Sequence, residues 1–384
     1  RRGEDTLARR TVQRMVGLAP WQESGQAELM RLLAVEGQWA AAQTRYQTLR
    51  RNLAEEMGMA PSPFTTLLYE AIGRAAVQDT PLPARFPPAC HNLPLVLFPI
   101  VGRQRELDDL ARLLPASSCR LLTLLGPGGI GKTRLALEIA REQVGLFADG
   151  VFFVPLAAIT SAELIVPSLA EAIGFQFYVP DKPFDLLLSY LRGKDMLLVL
   201  DSMEHLLGAH SAGGSVAGLI IQLLERAPGV KLLVTSRAPL NLRMEQVVEL
   251  GGLDYPSSED ASQGQNDSAL ILFEQTAQRI QSQYSLAAER AAVIRICQLL
   301  EGNPLAIELS ATWVHVQSCE TIATQISRDM GFLTTTMQDI PERHRSMRAV
   351  FEHAWALLTE VERLALQSLS VFRGGFTEQA AGQV

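Results

Sequence analysis

One short stretch of the chain constrains its fold more than any other, because it combines three local signals in a fixed order. The apolar run over residues 121–125 predicts a buried strand, and apolar positions at helical spacing begin again at Leu135. The residues between them fit the pattern G-x-x-x-x-G-K-[S/T]: Gly126, Pro127, Gly128, Gly129, Ile130, Gly131, Lys132 and Thr133. A strand, a glycine-rich loop and a helix in this order predict a P-loop.

The P-loop pattern carries a defined chemistry. Its glycines let successive backbone N–H groups turn inward around a phosphate chain, and the following helix adds the positive end of its dipole. We expect Lys132 to reach the β- and γ-phosphates of a nucleotide and the Thr133 hydroxyl to bind Mg²⁺. The stretch therefore predicts a site for ATP or ADP with Mg²⁺. A chance glycine turn between a strand and a helix is the alternative.

A second apolar run ends in an acid. Five large apolar residues at 196–200 precede Asp201, as in a strand that is buried on both faces of a parallel sheet. Ligands of open α/β sheets bind at the carboxyl ends of such strands, so we expect Asp201 to hold Mg²⁺ through water. Glu204 is the nearby candidate for orienting an attacking water. The alternative for each residue is an ordinary acid without a catalytic role.

Three further strand candidates complete an alternating pattern. Residues 150–157, 230–237 and 246–250 are apolar stretches separated by helical patterns. Alternation of this kind predicts a parallel five-stranded sheet with helices on both faces. Arg237 ends the polar triplet that follows one of these strands, and its guanidinium could sense the γ-phosphate. A surface arginine is the alternative.

The N-terminal part has a different character. Residues 1–78 show helical spacing with small residues where helices would cross, a TPR-like hairpin pattern. Residues 79–96 contain five prolines, which predicts a semi-rigid linker. The stretches at 19–21, 37–46 and 53–63 resemble the C-terminal part of the bacterial transcriptional activator domain. An anonymous helical hairpin is the alternative.

The C-terminal part is again helical. A polar loop begins at residue 254, and helices are predicted over 269–281, 287–300 and 305–316. Pro304 fits the first turn of the last of these helices, where its missing N–H costs little. More helical sequence follows to the end of the chain.

Five motifs now stand in a set order. They are Val101-Gly102-Arg103, the P-loop motif 126–134, residues 198–205, Thr235-Ser236-Arg237 and residues 302–309. This order resembles the NB-ARC branch of the signal-transduction ATPases with numerous domains (STAND), over roughly residues 97–380. With the helical module in front, the chain resembles AfsR/SARP-like transcriptional regulators.

The resemblance implies a particular architecture. The chain would be multidomain, of the α and α/β classes, and its sheet would follow an AAA-like strand order. The implied domains are a helical activator domain at 1–78, the linker at 79–96, a P-loop NTPase at 97–253, a helical subdomain at 254–338 and the start of a truncated winged helix at 339–384.

The resemblance also implies site residues and partners. The backbone near Val101 and Gly102 would touch the adenine with Arg103 close by, Pro304 would pack against the base, and Arg134 would belong to the nucleotide-binding motif. ADP would lock a closed state and ATP would permit self-association. Relatives usually carry a DNA-binding winged helix upstream, so DNA contact is expected through a segment missing from this chain. The Met-His-Asp motif of some relatives is not evident, which leaves the ADP lock without assigned residues.

Charge, apolar runs and cysteine spacing limit the classes of protein to which the chain could belong. The net charge of −7, from 34 basic and 41 acidic residues, argues against a chain built as a whole to bind nucleic acid. The sequence lacks an apolar run of about 18 residues and a signal peptide, so we expect no membrane contact and a cytoplasmic location. The four cysteines lack metal-site spacing and are expected to be ordinary thiols. Because the chain begins at Arg1, we expect a fragment of a longer protein.

These observations leave three functional hypotheses. The leading one is a nucleotide-gated switch in transcriptional control, a slow ATPase whose output is conformational. The second is a non-hydrolysing scaffold with structural ADP. The third is a P-loop phosphotransferase acting on a small molecule, which would need an acceptor pocket and an arginine-rich lid.

Overall fold

The computed structural model describes most of the chain. The described residues are 23–57, 60–61, 63–78, 90–96, 98–177, 182–207, 210–211, 214–257, 267–334, 345–356, 358–372 and 377–382. The expected features at 19–21 and 79–89, the loop at 258–266 and the expected start of a winged helix at 339–344 lie outside them. The chain divides into a first unit and a second unit: Arg1–Pro99 with Gln104–Leu125 and Thr133–Glu249, and Ile100–Arg103 with Gly126–Lys132 and Leu250–Val384.

A five-stranded parallel sheet forms the centre of the first unit, as predicted. Its strands run in the spatial order β2-β3-β4-β1-β5. They are β1 (Leu121–Leu125), β2 (Gly150–Pro155), β3 (Met196–Asp201), β4 (Val230–Ser236) and β5 (Glu245–Glu249). Every residue of β3 is buried, which explains its unbroken apolar sequence. Because β3, β4 and β1 are neighbours and parallel, their carboxyl ends meet at one edge of the sheet.

Helices of the first unit come from both the N-terminal module and the α/β region. They are α1 (Glu23–Val35), α2 (Trp39–Asn52), α3 (Pro63–Gln78), α4 (Gln104–Leu113), α5 (Lys132–Glu142, whose first residue belongs to the second unit), α6 (Ile165–Ala172), α7 (Pro183–Leu191) and α8 (Val216–Arg226). The Ser215 hydroxyl accepts the Gly218 N–H and so fixes the start of α8. Leu49 of α2 and Leu53, which follows it, belong to the same buried cluster as Leu198 of the sheet. The helical module and the sheet thus share apolar core.

Residues 90–92, within the predicted linker, are attached to the edge of the sheet. The Val151 N–H donates to the Cys90 carbonyl at 2.9 Å, and His91 forms a parallel bridge with Val151. The Asn92 side chain donates to the Phe153 carbonyl at 2.8 Å and accepts the Phe153 N–H at 2.5 Å. These bonds satisfy backbone groups that edge strand β2 would otherwise leave unpaired.

The second unit contains the helices that follow the sheet. They are α9 (Ser268–Ile280), α10 (Arg290–Leu299), α11 (Pro304–Ala311), α12 (Cys319–Arg328), α13 (Met347–Ala356), α14 (Glu360–Leu369) and α15 (Glu378–Ala381). The sequence analysis did not single out α12, although Ser318 caps it by accepting the Thr321 N–H. Burial raises the pKa of the Cys297 and Cys319 thiols, each to about 12. No helix among the described residues combines the length and apolar character needed to cross a bilayer.

Candidate functional site

The glycine-rich loop at 126–132, which belongs to the second unit, has a backbone that only glycine adopts easily. Gly129 has φ of +78° and Gly131 has φ of +95°. A Cβ at Gly129 would also lie 2.9 Å from the Cβ of Leu305 and 3.0 Å from Oδ1 of Asn303. Conformation and close approach therefore both require glycine at position 129.

Lys132 closes the beginning of the loop. Its ammonium Nζ donates to the carbonyl oxygens of Gly126 at 2.7 Å and Pro127 at 3.0 Å. Hydrogen bonds from an ammonium to phosphate oxygens are stronger than bonds to neutral carbonyls. The phosphate contact expected of Lys132 stays a prediction.

The N-terminus of α11 contacts the middle of the loop. The Asn303 side chain donates from Nδ2 to the Gly128 carbonyl at 3.2 Å. The Leu305 N–H donates to the Gly129 carbonyl, also at 3.2 Å. Pro304 occupies the first helical position between them, so the motif at 302–309 and the P-loop motif meet within the second unit.

Arg103 contacts the last part of the loop. Its Nη2 donates to the carbonyl oxygens of Ile130 at 3.3 Å and Gly251 at 2.6 Å. Arg103 has φ of +67°, which is uncommon for a residue with a side chain. The neighbouring Val101 packs against the apolar core of the second unit, and a Cβ on Gly102 would lie 2.8 Å from the Cβ of Ser268. Together with the bonds from Lys132 and from the N-terminus of α11, the bond from Arg103 means that each backbone carbonyl from residue 126 to 130 accepts a hydrogen bond.

Asp201 lies at the carboxyl end of β3 in the first unit and is 3% exposed. Its Oδ1 accepts hydrogen bonds from the hydroxyls of Thr133 at 2.6 Å and Thr235 at 2.7 Å. Thr235 Oγ1 in turn accepts the Ser202 N–H at 2.8 Å. The two residues predicted to face Mg²⁺, Thr133 and Asp201, are therefore neighbours.

The donor set fits magnesium. Carboxylate and hydroxyl oxygens are hard ligands, and Mg²⁺ is usually held by one or two carboxylates together with phosphates and water. Among the residues that the structure describes, no group of three or more His, Cys, Asp or Glu side chains could hold a metal ion by itself.

Glu204 and Arg237 bind each other. Arg237 Nε lies 3.2 Å from Glu204 Oε1, and the two side chains are 19% and 9% exposed, respectively. The second oxygen of Glu204, Oε2, and the Arg237 Nη1 are buried without a hydrogen-bond partner among the described residues. A buried polar atom left unpaired costs about 1–3 kcal/mol. Glu204 Oε2 could therefore accept a hydrogen bond from water, and Arg237 Nη1 could donate one to water or to an anion.

Arg134, expected to belong to the nucleotide-binding motif, binds two backbone carbonyls. Its Nη2 donates to the backbone carbonyls of Phe98 at 3.1 Å and Pro99 at 2.7 Å. The guanidinium thus anchors the chain that precedes α4.

Two residues of the candidate site, Thr235 and Asn303, were not predicted from the sequence. Thr235 belongs to the polar triplet that ends β4, but only Arg237 of that triplet was given a role. Asn303 stands before a proline at the start of a helix, which is a signature of an N-cap. The cap was detectable from the sequence, whereas its contact with Gly128 was not.

Comparison with known proteins places the chain among bacterial regulators. The Bacterial transcriptional activator domain family matches residues 1–73, and the NACHT domain family matches residues 120–259. The chain is 32% identical over 295 residues to "Uncharacterized protein Rv0894" of Mycobacterium tuberculosis, covering 77% of this chain and 70% of that protein. The chain belongs to this family of bacterial transcriptional regulators with a STAND-type P-loop NTPase domain.

Other relatives are longer. The chain is 35% identical over 262 residues to "Putative HTH-type transcriptional regulator Rv0890c" of M. tuberculosis, which spans 67% of this chain and 27% of that protein. It is 28% identical to "Regulatory protein AfsR" of Streptomyces griseus, covering 92% of this chain and 35% of that protein. The STAND protein with a tetratricopeptide repeat sensor PH0952 from Pyrococcus horikoshii is 17% identical with a TM-score of 0.38, covering 75% of this chain and 37% of that one.

The family match refines one prediction. The sequence analysis pointed to the NB-ARC branch of the STAND ATPases, whereas the family that matches residues 120–259 is the NACHT domain. Both are STAND-type P-loop NTPase domains, so the predicted class is confirmed.

Proposed function

We propose that this chain is the ATP/ADP-binding conformational switch of a bacterial transcriptional regulator, with slow ATP hydrolysis that gates oligomerisation or output. The observation that carries the proposal is the hydrogen bond of 2.6 Å between Thr133 and Asp201. Thr133 belongs to the P-loop motif, and Asp201 ends β3, 68 positions further along the chain. Their meeting is what a Mg²⁺-nucleotide site requires of its metal-facing side chains.

The phosphate contacts follow from the P-loop. Loop N–H groups and the Lys132 ammonium would bind the β- and γ-phosphates, and Thr133 and Asp201 would hold Mg²⁺. When bound, Mg²⁺ neutralises charge on the phosphate oxygens. The roles of Val101, Gly102 and Pro304 near the adenine are part of the same proposal and are supported by the family resemblance.

Slow hydrolysis follows from the Glu204–Arg237 pair. While one oxygen of Glu204 is held by Arg237, that oxygen is not available to orient an attacking water. Arg237 would exchange Glu204 for the γ-phosphate of ATP, because its Nη1 has spare donor capacity, and Glu204 would then be released to orient water. The γ-phosphate would thus determine which partner Arg237 binds, as expected of a nucleotide switch.

The role in transcription and the contacts with partners are proposed from the family resemblance. The activator-domain match at residues 1–73 supports a role in transcription, which takes place in the cytoplasm of bacteria. Self-association in the ATP state, and DNA contact through a segment missing from this chain, complete the proposal.

A second candidate is a scaffold that binds ADP and does not hydrolyse ATP. The buried Glu204–Arg237 pair favours it, because Glu204 would stay inactive if Arg237 never released it. Measured ATP turnover separates the two candidates.

The test begins with the protein as purified. Calorimetry with ATP and with ADP, each with Mg²⁺ and with EDTA, should detect binding at one site, and light scattering should detect a larger species with ATP than with ADP. If folded protein takes up neither nucleotide, the switch and the scaffold both fail. If nucleotide binds but the mass is the same with both, the oligomerisation step fails.

A further inference from the structure

Asn303 links two elements through one amide group. Its Oδ1 accepts the Ala306 N–H at 3.2 Å, which caps α11, and its Nδ2 donates to the Gly128 carbonyl at 3.2 Å. The cap fixes the orientation of the amide, because a backbone N–H can only donate and must face the oxygen. The NH₂ group must then face the loop carbonyl.

The first turn of α11 uses the loop as part of its own cap. The early N–H groups of a helix lack intrahelical partners. Pro304 has no N–H, the Leu305 N–H donates to the Gly129 carbonyl, and the Ala306 N–H is taken by the Asn303 side chain. All donors of this first turn are therefore satisfied, one of them by the P-loop.

The P-loop in turn depends on the start of α11 for two of its hydrogen-bond donors. A loop that turns its N–H groups toward a phosphate must point its carbonyls to the opposite side. Asn303 and Leu305 hold the carbonyls of Gly128 and Gly129. The close approach of Gly129 to Leu305 leaves no space for a side chain at that position.

We propose that Asn303 is a positioning residue for nucleotide binding: it fixes the P-loop in its phosphate-binding form and ties that form to the start of α11. The inference rests on the proposed function, since it assumes that the loop binds the phosphates of a nucleotide. Asn303 itself acts through the loop and does not touch the ligand.

The substitution Asn303→Asp separates the two bonds of the amide. Aspartate is as good an N-cap as asparagine, so α11 keeps its cap. The NH₂ group is replaced by a carboxylate oxygen that repels the Gly128 carbonyl. We expect Mg²⁺-ADP and Mg²⁺-ATP affinity in calorimetry to fall by about tenfold or more, because one hydrogen bond is lost and a repulsion is gained. The melting temperature without nucleotide should stay within about 3 °C.

The matched control is Ser318→Asp. It makes the same kind of cap at α12, in the same unit, on a helix whose cap accepts from Thr321. Its nucleotide affinity should equal that of the unaltered protein. The second measurement is hydrogen exchange of the peptide 126–133 without nucleotide, which should be faster in Asn303→Asp only.

The outcomes are distinguishable. Unchanged nucleotide affinity in Asn303→Asp overturns the inference and leaves the proposed function standing. If the unaltered protein binds no nucleotide, the proposed function fails instead, and the exchange measurement alone decides whether Asn303 orders the loop. An equal loss of affinity in Ser318→Asp also overturns the inference, since the effect would then come from added charge.

Discussion

Two groups of hydrogen bonds differ in what they hold in place. The P-loop group surrounds the backbone carbonyls of residues 126–130, and the Asp201 group surrounds the Asp201 carboxylate. In the P-loop group, the acceptors are backbone carbonyls, and the donors include side chains from distant sequence, such as Arg103 and Asn303. In the Asp201 group, the acceptor is one buried carboxylate. Its Oδ1 accepts from the hydroxyls of Thr133 and Thr235, and its Oδ2 accepts from the Ser202 hydroxyl at 3.4 Å. The first group thus holds a backbone shape, whereas the second holds a single charge.

This difference has consequences for substitution. Each of the five loop carbonyls accepts its own bond, so losing one donor should loosen the loop locally without unfolding the protein. A buried carboxylate depends on its few donors, because an unpaired charge in the interior is costly. We therefore expect changes in the P-loop group to alter binding more than folding, and donor changes around Asp201 to alter folding as well.

The largest effect is expected for Lys132→Ala. Hydrogen bonds to charged groups contribute about 1.5–3 kcal/mol each. Losing two bonds to phosphates should weaken ATP binding in calorimetry by about a hundredfold or more. The control is Lys231→Ala, which removes another ammonium that donates to two backbone carbonyls, those of Leu114 at 2.7 Å and Ala116 at 2.6 Å. It should lower stability but keep nucleotide affinity, and unchanged affinity in Lys132→Ala would place the site elsewhere.

The next effect concerns turnover and not affinity. Glu204→Gln keeps an oxygen that accepts from Arg237 but removes the proton acceptor. General-base loss typically costs about 10²–10⁴-fold in rate, so turnover should fall by about a hundredfold or more with ATP affinity nearly unchanged. Asp185→Asn is the control, because it removes the charge of a half-exposed ion pair with Arg226 in the same unit. Full turnover in Glu204→Gln would show that Glu204 is not the proton acceptor, whereas absence of turnover in the unaltered protein would support the scaffold.

Asp201→Asn should remove the response to magnesium. The amide oxygen can still accept from Thr133 and Thr235, so the fold should lose less than about 2 kcal/mol. The charge that attracts Mg²⁺ is gone, and we expect ATP affinity with Mg²⁺ to fall about tenfold, toward the value measured with EDTA. A variant that still responds fully to Mg²⁺ would show that Asp201 is not the metal-facing acid.

Local signals account for what the sequence predicted well. The five strands were placed within two residues at either end. Four of them are mostly buried and mostly apolar, whereas β5 is partly exposed and was found from its short apolar pair at 247–248. The P-loop and the acid at the end of β3 follow from patterns of fewer than ten residues. Pro304, at the first position of α11, was found for the same reason.

Distant contacts account for what the sequence did not predict. Asn303 and Gly128 lie 175 residues apart, and no periodicity or turn rule connects them. The same applies to Leu49, which joins the core cluster of the sheet, and to Asn92, which bonds to Phe153 of β2 from 61 residues away. Local propensity gives the elements, whereas side-chain packing and hydrogen bonds decide which elements meet.

The smallest effect expected tests the Asp201 group through its second donor. Thr235→Val keeps the shape of the side chain but removes the hydroxyl that donates to Asp201 and accepts from Ser202. Leaving buried groups unpaired should lower the free energy of unfolding by about 1–3 kcal/mol, measured by urea denaturation without nucleotide. The matched control, Thr235→Ser, keeps the hydroxyl and loses only a methyl group, worth about 1 kcal/mol. If valine is tolerated better than serine, packing and not hydrogen bonding holds Asp201 in place, and the contrast between the two groups disappears.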